Sequence, residues 1–327
     1  MNAAVLEGVN LPLQLKSVDA PSISDREALV KLHAAALNHR DLWIQKGQYA
    51  GLKFPIILGS DGAGVVVECA DASWIGKDVV INPSLDWGER ETAQQKSFRI
   101  LGLPDNGTFA EFVKVPIQNL CEKPKHLSWT EAAALPLAGL TAYRALFSRA
   151  GLKPKEKVLI TGIGGGVALF GLQFALAIGA DVWVTSGSDD KIAKAIALGA
   201  KGGANYNDAN WDSELKSVGF DVILDSAGGD GFLKLIELAA MGGRIVFVGA
   251  TKGAPSSLPM TRVFWKQLSI LGSTMGSPKD FSQMLDLVNA KRIVPIVSDV
   301  LSLSAAEQGL RKMDGAAQFG KIVLQII

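Results

Sequence analysis

The sequence predicts an α/β protein with two domains, a doubly wound parallel sheet and a mostly β unit. The chain has 327 residues, which is more than one hydrophobic core usually organises. From about residue 157, apolar strands, glycine-containing turns and helices alternate regularly, as is typical of a parallel sheet. The first 120 residues contain short alternating runs separated by Gly, Pro and Asp, which indicates a compact, mainly antiparallel domain.

The first domain is predicted from five short runs. In chain order they are AVLEG, ALVKLHAA, GAGVVVECA, DVVINP and TFAEFVKVP. A turn follows near residues 122–135, and a helix begins there because Ser128 and Glu131 form a capping-box pattern. We therefore place the end of the first domain at residue 122 and the start of the second at residue 123.

The second domain is predicted as strands that alternate with helical crossovers. Strands are expected at 157–161, 181–186, 221–226, 244–249 and 267–273, with a short one ending at 205–206, and helices at 168–179, 189–198 and 230–240. Strands this apolar on both faces must be covered on both sides, so the sheet is parallel and doubly wound. A helix near 279–290 and a strand at 321–326 end the chain.

The composition argues against several classes of function. There are 33 Lys and Arg residues against 32 Asp and Glu, which gives a net charge of +1, and the chain has no dense basic run. We therefore expect no nucleic-acid or membrane-surface partner.

The two cysteines, Cys69 and Cys121, are too few for a disulfide framework and suggest a reducing compartment. The most apolar stretch, 167–178, is too short to span a bilayer, and the N-terminus lacks the pattern of an export signal. A cytoplasmic location is expected.

A glycine-rich segment, TGIGGGVALFGLQFA at 161–175, lies between a predicted strand and a predicted helix. Such a turn lets the backbone approach a pyrophosphate and directs helix N-terminal N–H groups at it. The segment supplies Gly162, Gly164, Gly165 and Gly166. Val167 stands where the usual third glycine would be. Tight packing alone would also explain the glycines, but their place at the head of a strand and helix alternation favours dinucleotide binding.

The residues after the next strand indicate which dinucleotide binds. An NAD site normally has a carboxylate there, about 20 residues past the turn, whereas this strand is followed by Ser186 and Ser188. Hydroxyls and the ammonium of Lys191 would hold a 2′-phosphate that a carboxylate would repel, so we expect NADP. Alternatively, Ser188 and two aspartates cap the next helix and Lys191 is a solvated surface charge.

Nine segments, one of them the glycine-rich turn, form an ordered set over essentially the whole chain. They are NHRDLWIQKGQY (38–49), PIILGSDGAGVV (55–66), GTFAEFVKVP (107–116), AAALPLAGLTAY (132–143), the glycine-rich turn, LGA (198–200), FDVILDSAGG (220–229), GGRIVFVG (242–249) and FGKIVL (319–324). In this order and spacing they resemble the medium-chain dehydrogenase/reductase superfamily. The resemblance implies a Rossmann domain at 123–271 and a chaperonin-like (GroES-like) domain formed by 1–122 and 272–327.

Members of this superfamily differ in whether they bind zinc. By resemblance, the positions of the catalytic zinc ligands correspond to Asn38, Ser60, Asp61 and Leu137. Zinc prefers thiolate, imidazole or carboxylate, and these side chains do not offer a usable set. The lobe that carries a structural zinc in the alcohol dehydrogenases corresponds to 83–108 and has no cysteine. The histidines are scattered, at His33, His39 and His126. We expect no bound metal.

The metal-free branch of the superfamily contains quinone oxidoreductases and related enone and enoyl reductases. The chain shares with it Asn38, Asp41, Gly47 to Tyr49 and the run at 134–143. Without a Lewis acid, alcohol oxidation is difficult. The resemblance therefore implies an NADPH-dependent oxidoreductase that transfers hydride to a quinone or an α,β-unsaturated carbonyl. In that branch, residues matching Lys191 and Tyr206 are associated with the 2′-phosphate and its ribose.

The expected mechanism places three residues near the nicotinamide, Asn38, Tyr49 and Thr141. Asn38 and Tyr49 would donate hydrogen bonds to the enolate or hydroquinone anion, and either Tyr49 or solvent would supply the proton. Alternatively, Tyr49 packs on the cofactor as a lid and Asn38 caps a turn or helix. Asp41 is expected to orient a loop or cap the following helix. His39 and Arg40 would either reach cofactor phosphates or mark an exposed helix start.

Further cofactor contacts are expected at the carboxyl edge of the sheet, where ligands of open α/β sheets bind. They are Ser226, Val248, Gly249 and Ser273. Lys321 opens the last strand and would either contact the cofactor or remain solvated.

A small, apolar or aromatic substrate is expected, since its pocket is predicted to be lined by Trp43, Tyr49, the 84–106 loop and Trp265. A homodimer joined near the sixth strand, QLSILGS, is usual for the superfamily and is expected here. Two alternatives stay open. One is a zinc alcohol dehydrogenase whose ligands lie at other positions, and the other is a non-catalytic NADPH-sensing or nucleic-acid-binding protein on the same fold.

Overall fold

The computed structural model describes all residues from Met1 to Ile327. The chain forms two compact units. The first unit comprises Met1–Leu140 and Gly276–Ile327, and the second unit comprises Thr141–Met275. The sequence-based boundaries at residues 122 and 272 therefore differ from the structural division.

Eighteen strands and nine α-helices make up these units. The strands are β1 (Asn2–Leu6), β2 (Gln14–Ser17), β3 (Glu27–Ala36), β4 (Ile56–Ile57), β5 (Asp61–Cys69), β6 (Asp78–Ile81), β7 (Ser84–Leu85), β8 (Arg99–Ile100), β9 (Phe112–Pro116), β10 (Leu120–Glu122), β11 (Lys157–Ile160), β12 (Asp181–Ser186), β13 (Gly202–Asn205), β14 (Phe220–Asp225), β15 (Ala239–Phe247), β16 (Ser269–Gly272), β17 (Val297–Ser302) and β18 (Lys321–Gln325). The helices are α1 (His39–Gln45), α2 (Trp129–Ala134), α3 (Pro136–Tyr143), α4 (Gly166–Ala177), α5 (Asp189–Ala197), α6 (Gly231–Leu238), α7 (Met260–Trp265), α8 (Pro278–Lys291) and α9 (Ala306–Asp314). None of these helices combines the length and apolarity needed to cross a membrane.

The second unit contains a six-stranded parallel sheet. Its order is β13-β12-β11-β14-β15-β16. Three successive residues of β11, Val158, Leu159 and Ile160, are fully buried, so both faces of this strand are covered. The strand order steps outward from β11 in both directions, which makes the sheet doubly wound. The predicted fold class is confirmed in this unit.

The first unit is built on a seven-stranded sheet, accompanied by a three-stranded and a two-stranded sheet. The long sheet has the order β10-β6-β5-β3-β18-β17, and β9 also pairs with β3. The central strand β3 pairs antiparallel with β5, β9 and β18. The C-terminal strand β18 therefore belongs to the first unit, and it completes the sheet there.

Helix α2 explains where the first unit ends. The Ser128 hydroxyl accepts the Glu131 N–H at 3.3 Å, and the Glu131 carboxylate accepts the Ser128 N–H at 2.7 Å, so the predicted capping box is confirmed. The following alanines, Ala132 to Ala134, are fully buried, and α2 packs on β3 and β5. The chain consequently stays in the first unit through α2, as far as Leu140.

Candidate functional site

The register of three strands brings polar residues together in the first unit. Strand β3 ends at Ala36, which pairs with Asp61, the first residue of β5. Strand β18 runs antiparallel to β3 with Val323 opposite Ala36, so Lys321 lies beside the residues that follow β3. Asn38, Asp61 and Lys321 are thereby gathered into one buried cluster.

Lys321 forms a buried ion pair in this cluster. Its Nζ lies 3.0 Å from Asp61 Oδ2 and donates to the Leu37 carbonyl at 2.7 Å and to Asn38 Oδ1 at 2.6 Å. Lys321 is 4% exposed and Asp61 is fully buried. An ammonium has three N–H donors, and here all three are used inside the protein. The expectation that Lys321 is solvated is wrong, and no donor remains for the cofactor contact that was its other expected role.

The Asn38 side chain is held between Lys321 and Asp61. Its Oδ1 accepts from Lys321, and its Nδ2 donates to Asp61 Oδ2 at 2.9 Å. The other Asp61 oxygen accepts the Leu137 N–H at 2.7 Å. This network fixes the orientation of the amide. The second N–H of Nδ2 has no partner in the protein and could donate to a ligand oxygen.

Asp41 ties the start of α1 to the loop before β5. Its carboxylate accepts the Asn38 N–H at 2.8 Å and the Gly59 N–H at 3.3 Å. Full burial raises the pKa of Asp41 to about 6, although the neighbouring Arg40 charge opposes the rise. Gly59 has φ +95°, and a Cβ there would lie 2.4 Å from the Phe109 ring, so the turn requires glycine. Asp41 therefore orients a loop and also caps the N-terminus of α1, so it has both of its expected roles.

Arg40 is buried next to this cluster. It is 8% exposed, and its Nη1 donates to Ser60 Oγ and to the Leu101 carbonyl, both at 2.9 Å. Its guanidinium carbon lies 5.1 Å from the ring centroid of Tyr49, and Tyr49 packs half-buried on the core of the first unit. Arg40 therefore does not mark an exposed helix start. The adjacent His39 is solvent-accessible, yet surrounding protein atoms and the Lys321 charge lower its pKa.

The four positions that correspond to zinc ligands do not fit a zinc ion. Asn38 and Asp61 bond to each other and to Lys321, whose charge would repel a cation. Ser60 donates its hydroxyl to a backbone carbonyl at 2.7 Å, and Leu137 offers the cluster only a backbone N–H. No group of three or more His, Cys, Asp or Glu side chains in the chain could hold a metal. The set lacks the thiolate and imidazole ligands that zinc prefers.

The segment 83–108, where alcohol dehydrogenases carry a structural zinc, is held by other contacts. Trp87 is 2% exposed, donates its indole N–H to a backbone carbonyl at 2.9 Å and packs edge-on against Phe98. Arg99 forms ion pairs with two aspartates of the same segment. Aromatic packing and ion pairs therefore stabilise this lobe.

In the second unit, the glycine-rich turn connects β11 to α4. Gly162 and Gly164 have φ of +67° and +123°, backbone conformations that favour glycine. Gly166 and Val167 open α4, and the preceding Gly165 offers no side chain to cap their N–H groups. Uncapped N–H groups at a helix N-terminus suit a pyrophosphate. The turn therefore fits the dinucleotide that the sequence predicts.

Cationic and hydroxyl groups lie beside this turn, at the end of β12. The Lys191 side chain crosses Gly164, where a Cβ would lie 3.3 Å from its Nζ, and burial lowers the pKa of Lys191. Ser188 is the N-cap residue of α5, and Asp189 and Asp190 follow it in the first turn, but its hydroxyl makes no capping hydrogen bond. Lys252 Nζ lies 4.8 Å from the ring centroid of Tyr206. The ammonium groups of Lys191 and Lys252 thus both lie in this part of the second unit.

Ser186 has an internal role in the same loop. It is 4% exposed, and its Oγ accepts the Ser188 N–H at 3.2 Å. Its carbonyl accepts the Tyr206 N–H at 2.9 Å. Ser186 therefore shapes the backbone that presents Ser188 and Tyr206.

The remaining expected cofactor contacts also lie at the carboxyl edge of the parallel sheet. They are Ser226 after β14, Val248 and Gly249 after β15, and Ser273 after β16. Asp225 braces this edge, because its carboxylate accepts the Thr161 hydroxyl at 2.6 Å and the Gly228 N–H at 2.8 Å. The Ser273 hydroxyl is buried and has no partner in the protein. Thr141, at 7% exposure, begins the second unit, whereas Asn38 and Tyr49 belong to the first.

Sequence reasoning missed Lys252 and the burial of Arg40. Lys252 lies in a loop beyond β15. Nothing in its local sequence indicates that it contacts the Tyr206 ring. The partners of Arg40 are Ser60 and Leu101, which only the tertiary packing brings near α1. The run NHRD indicates the start of a helix, but it does not indicate that the side chain of Arg40 is buried.

Comparisons with known proteins agree with both units. Two family models match, an alcohol dehydrogenase GroES-like domain over residues 24–125 and a zinc-binding dehydrogenase domain over residues 166–290. A zinc-type alcohol dehydrogenase-like protein, YogA, from Leptosphaeria maculans is 35% identical over 97% of this chain and 96% of its own. A crotonyl-CoA carboxylase/reductase from Cereibacter sphaeroides is 30% identical, covering 88% of this chain and 77% of its own.

A solved structure described as an NAD-dependent alcohol dehydrogenase is also similar to this chain. It is 39% identical over the full length of both chains, with a TM-score of 0.94. Sequence and fold similarity thus extend over the GroES-like first unit and the Rossmann-type sheet of the second. The chain belongs to the medium-chain dehydrogenase/reductase superfamily and is an oxidoreductase of that type.

Proposed function

We propose that this protein is a zinc-independent, NADPH-dependent reductase that transfers hydride to a quinone or an α,β-unsaturated carbonyl compound. The proposal rests mainly on the buried cluster of Asn38, Asp61 and Lys321. In this cluster the Lys321 ammonium binds the side chains of Asn38 and Asp61, which stand at two of the positions that correspond to zinc ligands. Alcohol oxidation needs a Lewis acid that stabilises an alkoxide. Reduction of an already electrophilic carbon has no such requirement.

Residues of the second unit support NADPH as the cofactor. A bound nicotinamide cofactor supplies the hydride. The uncapped N-terminus of α4 would hold its pyrophosphate. Lys191, Lys252 and Ser188 would bind the 2′-phosphate, and the Tyr206 ring would lie against the adenosine ribose. An anion bound there would favour the charged form of Lys191, whose pKa burial now lowers.

Residues of the first unit support binding of a substrate oxygen. Asn38 would donate its second Nδ2–H, and Lys321 and Asp61 act as positioning residues because their hydrogen bonds fix its amide. Tyr49 is proposed as the proton donor, with solvent as the alternative source.

The choice of substrate class draws on the relatives. A crotonyl group is an α,β-unsaturated acyl group, so the relative named as a crotonyl-CoA carboxylase/reductase supports an enone or enoyl substrate. The names of the alcohol dehydrogenase relatives favour a second candidate, an alcohol dehydrogenase. The cluster at Asn38, Ser60, Asp61 and Leu137 argues against it, because these groups do not fit the metal that such an enzyme would use.

A substrate panel tests the proposal. Oxidation of NADPH by the purified protein is followed by absorbance with quinones, enones, enoyl thioesters and aldehydes, and NADH is run beside each. We expect turnover with at least one quinone, enone or enoyl thioester, and faster turnover with NADPH than with NADH. Tight NADPH binding without turnover of any compound would contradict the proposal and favour a cofactor-sensing protein.

We also propose that the protein is a homodimer joined at β16. This strand is the edge of the parallel sheet, and an exposed edge can pair with a second copy of itself about a two-fold axis. Large apolar side chains of the second unit are exposed as well, namely Met241 at 64%, Met260 at 61%, Phe264 at 64% and Trp265 at 72%. Patches of this kind usually mark interaction surfaces.

A further inference from the structure

Arg40 is a buried cation without a counterion. It is 8% exposed, and its only hydrogen bonds run from Nη1 to Ser60 Oγ and the Leu101 carbonyl. Its Nε is enclosed by protein and has no partner. A guanidinium carries five N–H donors, so the donors of Nε and Nη2 remain unpaired. Arginine is rarely buried to this extent unless an anion or acceptor pairs with it.

Neither of the two nearby carboxylates forms a direct ion pair or hydrogen bond with the Arg40 side chain. Asp41 accepts the backbone N–H groups of Asn38 and Gly59. Asp61 accepts Asn38 Nδ2, the Leu137 N–H and the Lys321 ammonium, so its charge is compensated by Lys321. The positive charge of Arg40 is therefore not balanced by an ion pair in the first unit.

The Tyr49 ring, the Ser60 hydroxyl and the Leu101 carbonyl all contact the guanidinium of Arg40. Tyr49 lies 5.1 Å from the guanidinium carbon, and such contacts strengthen where water is excluded. Ser60 and the Leu101 carbonyl hold Nη1. Unlike Nε, Nη2 is not shut off from solvent. A cation held at Nη1, with an unpaired Nη2 group, is arranged to receive an oxygen anion.

We propose that Arg40 is a catalytic residue that binds the oxygen anion formed on the substrate during reduction, in the place of a Lewis acid. This inference rests on the proposed reductase function. The substrate β-carbon gains a hydride, its C=C electron pair shifts to join the α-carbon to the carbonyl carbon, and the carbonyl π pair moves onto oxygen. Arg40 Nη2 donates to this enolate oxygen. A proton from Tyr49 or water then adds to the α-carbon and restores the carbonyl.

Ionisation of a bound phenol tests this role without turnover. Phenolates mimic the enolate oxygen, so 4-nitrophenol is titrated into NADP⁺-loaded protein at about one pH unit below its free pKa, and absorbance reports the anion. A neighbouring cation lowers such a pKa by about 1–3 units. We expect at least a tenfold larger ionisation constant for phenol bound to the wild type, lost in Arg40→Met and largely retained in Arg40→Lys.

Two controls separate this effect from a loss of structure. Arg26 is exposed and its side chain makes no hydrogen bond, so Arg26→Met should leave phenol ionisation unchanged. Affinity for NADP⁺ should be the same in Arg40→Met and the wild type. Equal phenol ionisation in the wild type and Arg40→Met, or no phenol binding to the wild type, overturns the proposal. A fall in NADP⁺ affinity alone would show instead that Arg40 contacts the cofactor, which also overturns it.

Turnover gives the second readout. Loss of one donor to a developing oxyanion lowers kcat by about a hundredfold or more, so Arg40→Met should lower kcat with an enone far more than it changes KM. Added guanidinium should restore part of the rate.

If the wild type ionises the phenol through Arg40 but reduces no quinone or enone, the anion site stands and the proposed reductase function fails. If the wild type reduces enones and Arg40→Met retains its kcat, the inference fails and the proposed function stands.

Discussion

Lys191 is the residue on which the choice between the two nicotinamide cofactors depends most. Its side chain lies across Gly164 at the pyrophosphate turn, and Ser188 and Tyr206 are on the neighbouring loops. None of these three side chains would repel a phosphate. Charge-assisted hydrogen bonds to a phosphate contribute about 1.5–3 kcal/mol, so this region should discriminate strongly between cofactors with and without the 2′-phosphate.

Replacing Lys191 with Ala should weaken NADPH binding by about tenfold to a hundredfold and leave NADH binding almost unchanged. Fluorescence titration of both nucleotides measures the two dissociation constants. Lys201→Ala is the matched control, because Lys201 pairs with Asp181 at the opposite end of β12. Equal losses of affinity for both nucleotides would contradict the assigned 2′-phosphate contact.

Lys321→Met should destabilise the protein by about 3–5 kcal/mol, because it leaves the buried Asp61 charge uncompensated. The free energy of unfolding in urea measures this loss. The double variant Lys321→Met with Asp61→Asn should recover part of it. Lys16 forms an exposed ion pair with Glu7, and Lys16→Met should cost about 1 kcal/mol or less. A Lys321→Met variant as stable as Lys16→Met would show that the ion pair does not stabilise the fold.

Sequence predicts the placement of residues best where their neighbours are close in the chain. The glycines of the turn and the approach of Lys191 follow from a short strand, turn and helix pattern, and the structure places them together. The burial of Lys321 does not follow from any local signal. It depends on the pairing of β18 with β3 and of β3 with β5, which are contacts between distant parts of the chain.

At the level of single elements, the start of α1 is coupled to the loop before β5 through Asp41. The native carboxyl holds its proton more tightly than the unfolded one, since burial raises its pKa from 3.8 to about 6. This contribution to stability is fully present below pH ~4 and is lost as the pH rises through about 6. The shift corresponds to roughly 3 kcal/mol between these limits.

Asp41→Asn removes this titration and should therefore flatten the pH dependence of unfolding. Between pH 4.5 and 7.5, the wild type should lose up to about 3 kcal/mol of stability relative to Asp41→Asn. Urea denaturation of both proteins at several pH values provides the comparison. Parallel pH profiles for the two proteins would mean that Asp41 is ionised in the native state throughout this range.

Element bounds follow the sequence closely where periodicity is strong and uninterrupted. Strand β12 has the predicted bounds 181–186, and α5 ends one residue before its predicted end. Strand β15 begins at Ala239, earlier than the predicted 244, because its pairing with β14 shifts register between Phe220 and Val222. A bulge of this kind is set by the neighbouring strand and leaves no periodic signal. The π-helical turn at Arg144–Arg149 was likewise not predicted.

For the whole molecule, the class of fold was predictable and the unit boundary was not. Apolar strands with helical crossovers define the parallel sheet, and the order of segments indicates the superfamily. The boundary at Leu140 depends on the packing of α2 against β3 and β5. The capping box at Ser128 marks the start of that helix correctly, but it contains no information about which unit the helix packs on.

The proposed dimer predicts a mass of twice 34.6 kDa at micromolar concentration. A variant with Trp265→Glu and Ile270→Lys places charges on the exposed patch and on β16, and it should elute as a monomer in size-exclusion chromatography with light scattering. Ile75→Lys is the control, because Ile75 is an exposed apolar residue of the first unit at 52%. A wild-type monomer, or a double variant with an unchanged mass, would contradict the interface.

The proposed function depends on reduction of the substrate with NADPH and without a metal. The most direct measurement is steady-state NADPH oxidation, with an enone or quinone identified from the panel, by protein treated with a strong chelator and verified as metal-free by elemental analysis. We expect the same kcat before and after chelation, with no increase on addition of zinc. Loss of activity on chelation, restored by one equivalent of zinc, would contradict it.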